Sequence, residues 1–540
     1  MEGKWWHSSV VYQVYPKSFQ DSNGDGIGDI EGIIARVPYL KQLGIDVIWL
    51  NPVFQSPDVD NGYDISDYYE VNPQYGSLAD VERLFEVCRS HGIKVIMDLV
   101  VNHVSDQHAW FQDALKGEES PYFDYFIWSK EDTGLKSVFG GSAWEYVPSL
   151  DLYYLHNFAV EQPDLNWENE SMRQAIYDMM NFWIDKGIAG FRMDVIDLIG
   201  KQPFEGIMEN GPKLHDYLQE MSAATFKDKD LLTVGETWGA TLDNALLYSD
   251  PERHELSMIF QFEQIGLDEV PGKSKWDLRT LNFMQLKSVF SKWQYALNDN
   301  GWNSLFWNNH DLPRIVSRWG NDGEYREKSA KMLAILLHGM KGTPYIYQGE
   351  EIGMTNAYFD DFDDYLDIEA QNLIKERLAN GYDKEAVLKS LQTKGRDNAR
   401  TPMQWNDGAY AGFTEGTPWM KVNPNYKVIN VASALEDSNS VFYTYQQLIE
   451  ARKNHRVIRF GKFNEIDKEN PHVFAYTRSD ASEEVLVVCN FFNHKARVTT
   501  QMDDLADYEV IVHNDVEVKF EKDELFLEPY EAMMLIKYKK

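Results

Sequence analysis

Eight short apolar runs punctuate the chain: VVYQVY (10–15), DVIWL (46–50), KVIMDLV (94–100), AGFRMDV (189–195), LLTVGE (231–236), ELSMIFQF (255–262), SLFWNN (304–309) and TPYIYQG (343–349). Their polar and apolar positions alternate only in part, the pattern of strands covered on both faces. Between the runs, apolar residues recur at helical spacing. In 79–92, Val81, Leu84, Phe85 and Cys88 follow the i, i+3, i+4, i+7 rule ahead of Gly92; in 172–187, Ile176, Met180, Trp183 and Ile184 share a face ahead of Gly187. Eight strands with intervening helices predict an α/β fold, a (β/α)8 TIM barrel. The rival, an open doubly wound sheet, is weakened because no G-x-G-x-x-G follows the first run.

Two stretches break the regular spacing. Residues 104–167, after the third run, are rich in aromatics and turn formers and show no helical period, which predicts a small inserted domain. Residues 355–398, after the eighth, carry DDFDDYLDIE, a helical pattern and the start of GRDNARTPMQW. Both leave from the C-terminal ends of strands, the face where such barrels build their sites. From about residue 467 the period changes to two in VFAYTRS, EVLVVCNFF and EAMMLIKY, predicting a C-terminal antiparallel β domain. The expected organisation is a barrel over 1–103 and 168–466, an inserted domain over 104–167, and a β-sandwich over 467–540.

Composition narrows the partners. The 540 residues hold 52 Lys plus Arg against 86 Asp plus Glu, a formal charge of −34. Such a surface repels phosphate backbones and anionic lipid, so neither nucleic acid nor membrane is an expected partner. No stretch approaches the ~20 apolar residues of a membrane span, and the N-terminus lacks a signal-type apolar run. Cys88 and Cys489 are the only cysteines, too few for a disulfide framework, so a reducing compartment fits. A cytoplasmic monomer is expected. The 14% aromatic content invites a sugar-stacking cleft, but large barrels and sandwiches bury many rings, and composition alone favours that reading.

Chemistry appears at the strand ends. If the barrel forms, strands four, five and seven present Asp194, Glu236 and Asp311 at one mouth. Converging carboxylates suit glycosidic cleavage, one ionised acid attacking the anomeric carbon and one protonated acid serving the leaving oxygen. Period-two alternation places Arg192 and Asp194 on one strand face, so the guanidinium is expected to keep Asp194 ionised. Glu236 lies in GETW, and an apolar Trp238 beside it is expected to favour its protonated form.

The blocks DLVVNH (98–103), GFRMDVID (190–197), GETWG (235–239) and WNNHD (307–311) stand in one order, and with them the chain resembles the α-amylase family of glycoside hydrolases from Trp5 onward. The resemblance implies a retaining mechanism with Asp194 as nucleophile, Glu236 as acid/base and Asp311 gripping the distorted sugar. It implies His103 and His310 as hydrogen-bonding partners of that sugar, with Asn102 and Asp98 in support. Within the family the chain looks most like the oligo-1,6-glucosidase and dextran glucosidase group. DNGYDISDY (60–68) is similar to the group's motif, implying that Tyr63 stacks under a terminal glucose and Asp60 binds its outer hydroxyls. Arg400 in NARTPMQW resembles the arginine that pairs with that aspartate. Such a clamp closes one end of the pocket and implies exo-action.

Val195 after the nucleophile resembles the α-1,6-specific members, where a branched side chain crowds an α-1,4 leaving sugar; Trp238, Lys275 and Glu369 are the candidates for holding that sugar. The implied substrates are isomaltose, isomaltotriose, panose and dextran ends. Trehalose-6-phosphate hydrolysis and α-1,4-preferring α-glucosidase action are the alternatives, the first requiring a basic cluster that the sequence does not display. A sucrose isomerase lacks support because no RLDRD-type loop is found. A non-catalytic transporter subunit is disfavoured by the full acid set and the lack of an anchor.

DSNGDGIGD (21–29) offers oxygen donors at alternate positions, from Asp21, Asn23, Asp25, the Ile27 carbonyl and Asp29, with Gly26 at the turn. That is calcium-loop spacing, although Gly32 stands where an EF-hand has its closing glutamate. A structural Ca²⁺ is expected and no catalytic cofactor, since two carboxylates need none. A metal-free turn is the alternative.

Overall fold

The computed structural model describes residues 3–500, 502 and 505–539; the outermost limits of the expected domains, residues 1 and 540, lie outside them. Each predicted run contains one barrel strand: β1 (Val11–Val14), β2 (Val47–Leu50), β3 (Lys94–Leu99), β4 (Gly190–Met193), β5 (Leu232–Glu236), β6 (Met258–Phe260), β7 (Ser304–Leu305) and β8 (Thr343–Tyr347). They form a parallel sheet in the order β6-β5-β4-β3-β2-β1-β8-β7. A parallel bridge from Ile259 to Asn303 joins β6 to the start of β7 and closes the barrel. Every residue of β1, β2, β4, β5 and β8 is buried, which is why these segments read as nearly continuous apolar runs.

The helices follow from their caps and faces. Leu78–Ser90 starts at a reciprocal capping box between Ser77 and Asp80 and buries Val81, Leu84, Phe85 and Cys88. Glu170–Asp185 is capped by Asn169, which accepts from the Met172 N–H, and buries Ile176, Met180 and Trp183. Each large apolar side chain so covered contributes roughly 1.5–3 kcal/mol. The Trp183 indole N–H, unavoidably buried with its ring, donates to the Tyr68 carbonyl at 2.9 Å.

Between β3 and that second helix, the inserted segment holds a short helix, Ala109–Ala114, and a three-stranded antiparallel sheet of Trp128–Ser129, Leu152–Leu155 and Trp144–Val147. After β8 come two helices, Ile368–Ala379 and Lys384–Lys394, beside the barrel mouth. The C-terminal region forms a five-stranded antiparallel sheet and a smaller three-stranded one. Its first strand, Lys462–Ile466, precedes the residue-467 boundary read from the sequence and pairs antiparallel with Val473–Ser479. The sheet is tied to barrel helices rather than to the mouth: the Tyr476 hydroxyl donates to the Leu336 carbonyl at 2.6 Å, and Lys287 Nζ to the Val473 carbonyl at 3.0 Å. Among the described residues no helix is long and apolar enough to cross a membrane.

Candidate active site

Arg192, on β4, organises the barrel mouth. Its side chain is buried, and its guanidinium donates to three carboxylates: Nη1 to Asp98 at 2.8 Å and to Asp194 at 2.7 Å, Nη2 to Glu236 at 2.7 Å. β3, β4 and β5 are adjacent, so three strand ends deliver one acid each to a single planar fork. Asp98 is held from the other side by the Trp49 indole N–H and the Tyr63 hydroxyl, both at 2.9 Å. Immediately after Asp194 the chain turns through Val195 with φ 34° and ψ 45°, a left-handed conformation that a β-branched residue adopts only under strain. That turn points the Val195 N–H at Glu236 Oε2, 3.0 Å away. A strained backbone thus links the two acids.

Glu236 receives a third contact that corrects the sequence reading. The Trp238 indole N–H donates to Glu236 Oε1 at 2.9 Å, so Trp238 meets this carboxyl as a polar partner rather than an apolar shield. Its ring stacks on Phe262, with centroids 3.9 Å apart, and is 46% exposed at the mouth.

Asp311 lies in the loop beyond the two-residue β7. It accepts from Arg400 Nη2 at 2.9 Å and Arg396 Nη1 at 3.2 Å, and its other oxygen faces His310 Nε2 at 3.1 Å. The Gln13 amide donates to His310 Nδ1 at 2.9 Å, which places the ring proton on Nε2, the nitrogen that faces Asp311. The partner of Asp60 is a second correction. Arg396, not Arg400, binds Asp60, at 3.0 Å, while Arg400 binds Asp311 and Asp367. Arg396 also grips Asp367 through two nitrogens, at 2.9 and 2.6 Å. Arg396 precedes and Arg400 ends one short helical turn, Asp397–Arg400, so the two, four residues apart, reach the same acids and spacing alone does not separate them.

The DNGYD motif is a turn and a site wall at once. Asn61 and Gly62 take positive φ, which turns Asp60 and Tyr63 inward. Tyr63 stacks on His310 with centroids 5.2 Å apart and planes 7° from parallel. His103 Nε2 donates to the Tyr63 carbonyl at 3.0 Å, and Asn102 Nδ2 donates to its Nδ1 at 3.1 Å.

These groups surround a cavity of about 520 Å³. Asp60, Tyr63, His103, Asp194, Val195, Glu236, Trp238, Lys275, His310, Asp311 and Glu369 all line it, whereas Arg192 and Arg400 sit behind the wall they brace. Lys275 Nζ donates to Glu369 at 2.6 Å at the outer edge. The sequence reading missed Arg396, which lines the cavity, and its buried partner Asp367. It also missed Gln162, whose amide donates to Asp60 at 3.2 Å. RD in GRDNAR was the available signal for Arg396; Gln162, in the irregular inserted segment, offered none.

The electrostatics depend on burial. Desolvation pushes Asp194 well above the ordinary carboxylate range, and the charges of Glu236 and Asp98 raise it further against the pull of Arg192. Arg192 pulls Asp194 toward its ionised form as expected, but burial and the neighbouring acids oppose it, because one guanidinium is divided among three buried carboxyls. Burial would raise Asp311 too, but His310, Arg396 and Arg400 hold it well below the usual range. Burial lifts Asp60 to about 6 despite Arg396, and lowers His103 to about 4 and His310 to about 3, leaving both rings neutral near pH 7.

The loop at 21–29 is a ladder of turns. Asp21 accepts backbone N–H groups from Asn23, Gly24 and Gly26 at 2.8–2.9 Å; Asn23 accepts from Asp25, and Asp25 from Ile27. Asp29 accepts from Ser22 and caps the first barrel helix through the Gly32 N–H. Gly26 has φ +91°, and a Cβ there would sit 1.8 Å from the Thr417 carbonyl oxygen. Among the described residues no three His, Cys, Asp or Glu side chains form a metal cluster. The all-oxygen donor set, including an amide and a backbone carbonyl, nevertheless has the chemistry of a hard cation's ligands.

Comparison with known proteins bears on the family and the fold. The alpha amylase catalytic-domain model matches residues 13–461, and the C-terminal domain model of the alpha-amylase SusG matches 473–534. The chain is 57% identical to a glucan 1,6-alpha-glucosidase of Streptococcus pneumoniae, across 93% of this chain and 94% of that protein. It is 51% identical to an oligo-1,6-glucosidase of Parageobacillus thermoglucosidasius, across 98% and 99%. A crystal structure of the trehalose-6-phosphate hydrolase of Bacillus licheniformis superposes with a TM-score of 0.96 at 45% identity, covering all of both chains.

Proposed function

The chain belongs to the α-amylase family, and from that premise we propose that it is a retaining, exo-acting α-glucosidase. It hydrolyses α-1,6-glucosidic bonds at the non-reducing ends of isomalto-oligosaccharides and dextran and releases α-glucose. The relatives named glucan 1,6- and oligo-1,6-glucosidase, at 51–57% identity, support the linkage. The arrangement that carries the mechanism is the Arg192 fork, which holds Asp194 and Glu236 on neighbouring nitrogens of one guanidinium. That sharing favours the short carboxyl spacing of retaining enzymes, about 5–5.5 Å, over the ~6.5–9.5 Å that seats an intervening water.

Each residue then has a task. In the reactive form Glu236 is the acid and Asp194 the carboxylate. Asp194 attacks the anomeric carbon as Glu236 protonates the departing glycosidic oxygen, giving a glucosyl ester and a shortened chain. Glu236, now ionised, takes a proton from water as that water's oxygen attacks the anomeric carbon, and the ester oxygens return to Asp194. Asp311, kept anionic by Arg396 and Arg400, accepts hydrogen bonds from ring hydroxyls and stabilises the positive charge that develops on the sugar. Asp60, Arg396 and Asp367 close the inner end, so only a terminal glucose fits. Val195, Trp238, Lys275 and Glu369 face the leaving sugar.

A phosphorylated disaccharide is a poorer fit. The cavity is lined by eight carboxylates against four cations, of which Lys275 is paired with Glu369 and Lys394 with Asp268 and Glu269. A phosphate dianion would meet a net negative wall. Product analysis with isomaltotriose, panose, maltotriose and trehalose 6-phosphate tests the assignment. Preferential cleavage of isomaltotriose with release of α-glucose is expected. Preference for maltotriose or trehalose 6-phosphate, or release of β-glucose, would overturn it.

The 21–29 loop would hold one structural Ca²⁺, through Asp21, Asn23, Asp25, the Ile27 carbonyl and Asp29, none of which lines the catalytic cavity. Cys88 and Cys489 are free and buried, which suits a reducing compartment and supports the proposal of a cytoplasmic monomer.

A further inference from the structure

We propose that a second cavity on the barrel rim is an outer acceptor subsite, binding the glucosyl units of an α-1,6-linked chain beyond the one that leaves. This deepens the α-glucosidase reading above and rests on it. The cavity, about 500 Å³, shares Val138, Phe139 and Glu369 with the catalytic pocket. The two spaces therefore meet at the Lys275–Glu369 pair, which faces the leaving sugar. A chain whose terminal glucose is held at the closed end can extend only outward, and Arg396 at that end packs 5.0 Å from the Phe139 ring, the shared wall.

The helix Ile368–Ala379 gives the path its length. Glu369 lies at its N-terminal end and Arg377 near its C-terminal end, eight residues on, a rise of about 12 Å. That reach exceeds a single pyranose ring. At its far end Tyr382 is 49% exposed, with one face covered by the Arg377 guanidinium 4.7 Å from the ring centroid. Arg377 is itself fixed by Asp277 at 2.9 Å and Ser274 at 2.8 Å. The result is a braced aromatic platform beside the cavity, an arrangement that suits the apolar face of a sugar. Across the gap Val138, 58% exposed, supplies an apolar edge from the inserted segment, and Asn380 offers an amide to ring hydroxyls. Arg377 pairs with Asp277 and Lys275 with Glu369, and the remaining lining charges, Lys273 and Glu376, are of opposite sign, so the path carries no single-sign field and suits an uncharged polyol.

The test compares kcat/KM for isomaltose, isomaltotriose, isomaltotetraose and isomaltohexaose in the wild type, Tyr382→Ala and Tyr382→Phe. The wild-type value is expected to rise with chain length. In Tyr382→Ala the isomaltohexaose-to-isomaltose ratio falls roughly 3- to 10-fold, mainly through KM, and Tyr382→Phe, which keeps the ring, retains it. An unchanged ratio in Tyr382→Ala, or a flat wild-type profile, would overturn the subsite while isomaltose hydrolysis left the α-1,6 assignment intact. Failure to cleave any α-1,6 substrate would remove both.

Discussion

Asp194 and Glu236 bind the same guanidinium, each 2.7 Å from its own nitrogen of Arg192. Removing that cation leaves three buried acids with no counter-charge, and breaking a buried ion network costs about 3–5 kcal/mol. Arg192→Gln is therefore expected to melt at a lower temperature and to lose roughly 10²–10³-fold in kcat. Its acid limb in a pH–rate profile should move up, because the pull that opposes desolvation of Asp194 is gone. Wild-type kinetics in the folded variant would contradict the role given to the fork.

The two acids should fail differently. Asp194→Asn removes the nucleophile and is expected to abolish turnover on every glucoside without unfolding the protein, as circular dichroism would verify. Glu236→Gln removes the proton donor and should spare the first step for aryl glucosides whose leaving group needs no proton. A burst of released phenol with slow turnover is the expected trace.

Arg396 and Arg400 can be separated by substitution. Arg396→Lys breaks the contact with Asp60 and the two-nitrogen grip on Asp367, and lysine cannot reproduce a fork. We expect kcat/KM to fall about 10²-fold and some cleavage inside the chain to appear as the closed end loosens. Arg400→Lys leaves the Asp60 contact standing and should keep strict release of single glucose units. Product chromatography on dextran distinguishes them.

Glu350 gives a pH-dependent stability away from the chemistry. Burial raises its carboxyl from 4.5 to about 8, and it accepts from Tyr445 and Asn308, each at 2.7 Å. The folded state thus keeps a proton that the unfolded state has already released. Its contribution to stability is fully present below about pH 4.5 and is lost as pH rises to about 8, by at most ~1.4 kcal/mol per unit from this group. Glu350→Gln is expected to flatten the decline in melting temperature between pH 5 and 8. An identical slope in the variant would refute this.

Chelation tests the 21–29 loop. A Ca²⁺ held there stabilises only the folded chain, so chelator should lower the melting temperature and added Ca²⁺ restore it, with kcat unchanged by the ion. Asp21→Asn should abolish the Ca²⁺-dependent shift. A melting temperature indifferent to both would leave the loop as a metal-free turn.

The sequence by itself determined the barrel and the acids at its mouth. Strands buried on both faces must be continuously apolar, so all eight are visible as runs, and the acids sit in compact blocks just beyond them. The C-terminal strand Lys462–Ile466 escaped because only two of its five residues are fully buried, so its period is weak. What only the tertiary structure decided are relations between side chains on different elements. Whether Arg396 or Arg400 meets Asp60 depends on how one helical turn is rotated against a loop more than 300 residues away. Whether Trp238 shows Glu236 its ring or its N–H depends on a rotamer set by stacking on Phe262. And Asp98, Asp194 and Glu236 compete for one guanidinium only because three strand ends, each unexceptional alone, converge on one buried cation. Local patterning specifies which residues are covered, while the balance of charge in a covered place depends on neighbours that only the closed barrel supplies.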